Sequence, residues 1–340
     1  MHTENNIPTL EDVAKAAGVS TATVSRCLNL PDQVAKPTLN RVMKTVQDMG
    51  YTPNFGARAM AAKRTFTIGA IIPTMENAIF ARGLQAFQEE LHARGYTLLV
   101  SSTGYQPDVE QDHIRALVSR GADALLLIGY DRDPSIYEFL EQRHIPALVA
   151  WAFAKDHALP SIGFDNRASM YRLARHVIGL GHRDMAVISG ITKGNDRAAQ
   201  RLEGIKDAIK DSGHDPADLA VIETSYAIEN GALALDRLMA SANRPTVVMC
   251  GNDVLAVGAL LRAKEIGLKV PDDLSITGFD DIELARIVSP QLTTIHVPHR
   301  EMGLKAAREL VNIVEKITEG TSIELQTTME LRASLQAPGK

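Results

Sequence analysis

Thr21, Ala22, Ser25 and Arg26 are spaced to share one face of a short helix. Their chemistry suits a polyanion. Thr and Ser hydroxyls bond phosphate oxygens, and an Arg guanidinium can fork onto O6 and N7 of guanine. The opposite face of the same helix carries Val24 and Leu28, with Cys27 beside them. Ser20 stands where an N-cap belongs.

The element that must position this helix lies just before it. Leu10, Val13, Ala14 and Ala17 fall at helical spacing. Thr9 can cap that helix, and Asp12 is a weak version of the capping-box partner. Gly18 ends it, because glycine adopts the left-handed conformation an end cap needs. Two short helices across a tight glycine turn make a helix-turn-helix, whose second helix enters the major groove of DNA. After a loop over 29–36, Pro37 opens a third helix with Leu39, Val42, Val46 and Met49 turned inward and Gly50 at its end.

The stretch Thr9 to Asn29, followed by Tyr51-Thr52-Pro53-Asn54 and Ala57-Arg58, closely resembles the start of the lac repressor (LacI/GalR) family of bacterial transcription regulators. The resemblance implies a DNA-contacting set of Thr9, Ser20, Thr21, Ala22, Thr23, Ser25, Arg26, Asn29, Tyr51, Asn54, Ala57, Arg58 and Met60. In the family, the segment matching Asn54 to Ala62 is a hinge helix that orders when two copies pack in the minor groove. Here it is about two turns long, which is marginal for a helix alone. The family's usual leucine wedge is Met60, and methionine can also unstack a base step.

Composition fits a soluble globular protein of more than one domain: 340 residues, 45% hydrophobic and 23% charged. There is no membrane-length apolar run and no signal-peptide pattern, so a cytoplasmic location is expected. Cys27 and Cys250 show no metal or redox spacing and read as buried, reduced thiols. Through Arg64 there are eight lysines and arginines against five acids, a balance of +3. The total of -5 therefore leaves -8 on the remainder. A modestly basic head on an acidic body suits DNA binding by the head, with two heads needed for a firm grip.

From Thr67 onward, apolar runs alternate with amphipathic helices in two similar series, the second starting at Ser161 and the last strand falling at Leu331 to Gln336. That pattern predicts an α/β body with parallel sheets covered by helices. With the resemblance, the fold class is an all-α helix-turn-helix head and hinge, then a two-lobed body like periplasmic binding proteins. The expected domains are a head over 1–53, a hinge over 54–64 and a ligand-binding and dimerisation body over 65–340. Within the body, lobe 1 takes about 65–163 and 292–326, and lobe 2 about 164–291 and 327–340.

Open parallel sheets bind ligands beyond the carboxyl ends of their strands. The ends here carry Asn77, Ile79 and Phe80, then Trp151, Arg197, Tyr226, Asn252 and Asp280. The resemblance implies an effector-binding role for Arg201 in Gln200-Arg201-Leu202-Glu203-Gly204, for Asp280 in Gly278-Phe279-Asp280-Asp281, and for Asn252 and Tyr226. Where lac repressor has an aspartate, this chain has Trp151, its only tryptophan, which offers a flat face to a sugar or heteroaromatic ring. Arg197 adds a second cation, favouring an acidic ligand.

No GxGxxG, Walker, HExxH or GxSxG pattern occurs, so neither an enzyme nor a cofactor is expected. Asp253, Asp280 and Asp281 read as cleft residues rather than a metal cluster. The expectation is a repressor whose affinity for pseudo-palindromic operator DNA responds to a sugar, sugar acid or sugar phosphate, acting as a homodimer or tetramer away from membranes. The rival is a cytoplasmic sugar-binding or sugar-modifying protein with an incidental helical head.

Overall fold

The structure is a computed structural model that describes residues 8–52, 56, 59, 64–76 and 78–339. The chain divides into two compact units, Met1–Thr65 and Phe66–Lys340. The expected roles of Asn54, Ala57, Arg58, Met60 and Asn77 fall outside the described residues.

Among its described residues the first unit contains the helices Leu10–Ala17, Thr21–Asn29 and Lys36–Asp48. Thr9 Oγ1 accepts from the Asp12 amide, and the Asp12 carboxylate accepts from the Thr9 amide, so the capping box is complete. Gly18 takes φ 64°, and its amide closes onto Ala14 and Lys15 carbonyls. Val13, Ala14, Ala17, Val24, Cys27 and Val42 are buried together, with Leu10, Leu28, Leu39, Val46, Met49 and Tyr51 packed around them. Each large apolar side chain buried this way contributes about 1.5–3 kcal/mol. The expected loop over 29–36 includes a short 3-10 turn, Pro31–Gln33.

Two parallel sheets and a two-stranded antiparallel one make up the described part of the second unit. Along the first, the strands lie in the order Ile323–Glu324, Ser161–Gly163, Ala147–Ala150, Ala124–Ile128, Thr67–Ile72 and Thr97–Ser102, all parallel. Its central strands are wholly buried, as expected where helices cover both faces. The edge strand Thr97–Ser102 is only partly covered. The second sheet runs Ala220–Thr224, Met185–Gly190, Val247–Cys250 and Ser275–Thr277, again parallel.

Two sequence expectations are corrected. Ser161–Gly163 pairs with Ala147–Ala150, so it closes the first series instead of starting the second. Leu331 to Gln336 forms no strand. The strand is Thr328–Glu330, antiparallel to Thr294–His296. The residues after it still serve the second sheet, since the Ile276 amide donates to the Ser334 carbonyl at 2.9 Å. Helix His299–Val314 packs against helix Ala78–Ala93 on the first sheet. The chain thus passes between the sheets after Gly163, near Thr294–His296 and after Glu324.

Candidate functional site

Eight of the nine residues expected at the cleft line one pocket between the two sheets: Ile79, Phe80, Trp151, Arg197, Arg201, Tyr226, Asn252 and Asp280. Tyr105, Phe164 and Asn195 complete its wall. Two helices begin at this pocket. Asn195 caps Asp196–Asp211 through the Ala198 amide, and Asn252 caps Asp253–Glu265 through the Leu255 amide. Both helix dipoles therefore present their positive ends to the cleft.

Arg201 is buried across the pocket from Trp151. It donates to Asn166 Oδ1 at 2.7 Å and to the Tyr226 hydroxyl at 3.1 Å. Its guanidinium lies 4.9 Å from the centre of the Phe279 ring, a cation–π position. Among the described residues its Nε is buried with no hydrogen-bond partner, while the two Nη atoms are held by Asn166 and Tyr226. Asn166 extends the connection, because its Nδ2 donates to the Trp151 carbonyl at 3.0 Å.

Three lining residues hold left-handed backbone conformations that side chains rarely adopt: Tyr105 at φ 60°, Trp151 at φ 60° and Asp280 at φ 106°. Such strain costs roughly 1–3 kcal/mol at each position and gathers at functional sites. Burial pushes the Asp280 carboxyl up to about 7, with Arg201 opposing. Burial likewise raises the Tyr105 phenol, which stays protonated.

The neighbouring aspartates are structural. Burial and then Asp280 push the Asp253 carboxyl well above its ordinary range. Asp253 accepts from Thr294 Oγ1 at 2.6 Å and from the Ile282 amide at 2.8 Å, tying helix, loop and strand together. At Asp281, burial is outweighed by hydrogen bonds from Arg286, Arg332 and His296, so its carboxyl is held low. Among the described residues no group of three or more His, Cys, Asp or Glu side chains is placed to hold a metal ion.

Arg197 is engaged differently from the sequence expectation. Its Nη1 donates to Asp196 Oδ1 at 2.8 Å and to the Ile128 carbonyl of the first sheet at 3.0 Å. Asp196 also accepts from the Tyr130 amide at 2.7 Å. These bonds join the two sheets across the cleft, and Arg197's charge is neutralised by Asp196. Gly129 permits the contact. It sits at φ 70°, and a Cβ there would overlap both the guanidinium and the carboxylate. Arg82 and Glu283 form an ion pair between the lobes.

In the helical head, Thr21, Ala22, Arg26 and Asn29 are exposed, while Thr23 and Ser25 are half-buried. Ser20 caps its helix through the Thr23 amide, and Thr9 caps the preceding one. Asn29 Nδ2 donates to the Ser25 carbonyl at 3.0 Å. Tyr51 packs on the head core.

Sequence reasoning missed Tyr105, Asn195 and Phe164 as wall residues. The strand-end rule that found the others reaches Tyr105 when it is applied to Thr97–Ser102 as well.

Comparison with known proteins agrees with this arrangement. Residues 9–54 match bacterial regulatory proteins, lacI family, and residues 65–333 match periplasmic binding proteins and sugar binding domain of LacI family. The HTH-type transcriptional repressor PurR of Klebsiella pneumoniae (strain 342) is 33% identical over 330 residues, 96% of each chain. Among solved structures, a LacI-family transcriptional regulator from Silicibacter pomeroyi shares the fold at TM-score 0.86 and 24% identity, over 97% of this chain and 99% of that one. The lac repressor dimer bound to operator and the anti-inducer ONPF gives the same TM-score of 0.86 and identity of 24%, over 97% and 99% of the chains. The chain belongs to the lacI family of bacterial regulatory proteins.

Proposed function

We propose that this protein is a homodimeric, sequence-specific transcription repressor whose operator affinity is set by a small molecule held between the two sheets. One observation carries the reading. Side chains from both sheets converge on one polar and aromatic pocket, with the buried Arg201 and Asp280 in its wall. The 33% identity to a repressor over nearly the whole chain supports the same reading.

DNA is contacted by the exposed face of Thr21–Asn29, with Arg26 forking onto a base and the hydroxyl residues on phosphates. Asn54, Ala57, Arg58 and Met60 contribute the minor-groove contacts of the hinge. In the cleft, Arg201, Asp280, Asn252 and Tyr226 hold the polar edge of the effector, and Phe80 and Trp151 hold its ring. Since Asp196 already neutralises Arg197, a sugar or singly charged sugar acid suits the remaining charge better than a phosphate.

A thermal-shift screen with sugars, sugar acids, sugar phosphates and purines tests the cleft. A ligand at a hundred times its Kd should stabilise the protein by about 2.7 kcal/mol. Absence of any shift across the screen would contradict the effector reading.

A further inference from the structure

The cleft holds two chambers. Phe80, Trp151, Arg201, Tyr226 and Asp280 wall the inner one. Thr103, Gln106, Glu110, Asp131 and Gly194 line the outer one. Among the described residues, only Tyr105 and Arg197 border both. Arg197 is pinned by Asp196 and the Ile128 carbonyl, which leaves the Tyr105 ring as the other part of the shared wall.

Tyr105 comes from the first sheet, just after Thr97–Ser102, and reaches Tyr226 of the second. The ring centres are 5.7 Å apart at 45°, a tilted aromatic contact at the wall that the two chambers share. Its backbone is held at φ 60° to aim the ring there. We propose that Tyr105 is a specificity-determining partition, limiting the effector to a single ring in the inner chamber and excluding two-ring ligands from the outer one. The proposal rests on the effector reading above and adds ligand size to it.

The two chambers differ in chemistry as well as position. The inner one is aromatic on several sides and presents both donors and acceptors, as a single hydroxylated or heteroaromatic ring requires. The outer one carries the carboxylates of Glu110 and Asp131 and the polar groups of Thr103 and Gln106. A second sugar ring could use those acceptors, but it would have to pass the Tyr105 ring to reach them.

The test compares wild type, Tyr105→Gly and Tyr105→Phe by thermal shift, with Kd values from calorimetry. The probes are monosaccharides and free pyrimidine bases on one side, and disaccharides and pyrimidine ribonucleosides on the other. Glycine removes the ring and also favours the φ of this position, so the variant keeps the fold. Wild type and Tyr105→Phe should be stabilised by one-ring probes alone. Tyr105→Gly should bind two-ring probes at least about tenfold more tightly than wild type does. Wild-type binding of two-ring probes as tight as that of one-ring probes would overturn the partition. So would a Tyr105→Gly variant that gains nothing, or a Tyr105→Phe variant that behaves like it. If no probe of either class shifts the wild type, the effector reading fails first and the partition falls with it.

Discussion

Trp151 donates its indole Nε1 proton to Nδ1 of His299 at 3.2 Å, across 148 residues of chain. Nδ1 is therefore an acceptor, and the ring proton sits on Nε2. Burial pulls the His299 imidazole down to about 3, so the ring is neutral. The same tryptophan has Phe80 at 5.3 Å between ring centres, and its carbonyl is bonded by Asn166. A line of contacts thus runs from His299 through Trp151 and Asn166 to Arg201.

Trp151→Phe keeps the apolar face but leaves His299 Nδ1 buried without a donor. An unsatisfied group of this kind costs about 1–3 kcal/mol. Urea denaturation of the body should show a loss of that size. A variant as stable as wild type would mean that the indole bond contributes nothing.

Asp280 gives a pH signature. Its carboxyl titrates near 7 in the folded protein against 3.8 as the ordinary value. Between those values the folded state holds a proton that the unfolded chain has released, so this group costs stability as pH rises through the window. Asp280→Asn removes the titration. The melting temperature of Asp280→Asn minus that of wild type should therefore increase from about pH 4 to pH 7 and then level off. A difference that does not change with pH would contradict the buried, elevated carboxyl.

In the head, Arg26 is exposed on Thr21–Asn29, with no side-chain hydrogen bond among the described residues. Arg26→Ala should weaken specific DNA binding by about 1–3 kcal/mol and relax the preferred base at one position per half-site. Selection from random duplexes with both proteins measures this. Identical selected sequences would remove Arg26 from base reading.

Much of the head was legible because its determinants are local. Thr9, Asp12, Gly18 and Ser20 act within one turn of their own positions, and the sequence shows that spacing directly. The body's alternating strands and helices were legible for the same reason. Partners distant in sequence were not. The strand near the C-terminus was misplaced because its register is set by Thr294–His296, more than thirty residues earlier. Arg197 looked like a free cation because its carbonyl acceptor, Ile128, lies 69 residues away. The Trp151–His299 bond leaves no trace in either local sequence. The strand-end rule finds most of the pocket, and it reaches Tyr105 only when the partly exposed edge strand Thr97–Ser102 is included.

The central claim is that the cleft and the DNA-binding head are energetically coupled. The direct measurement is a full thermodynamic cycle on wild-type protein. Operator duplex selected by the protein itself is titrated with and without a ligand from the thermal-shift screen, and that ligand is titrated with and without operator. Coupling of about 1–3 kcal/mol predicts that each partner changes the other's affinity by the same factor, roughly 5- to 150-fold. A ligand that binds the cleft tightly while operator affinity stays the same in its presence and absence would contradict the account.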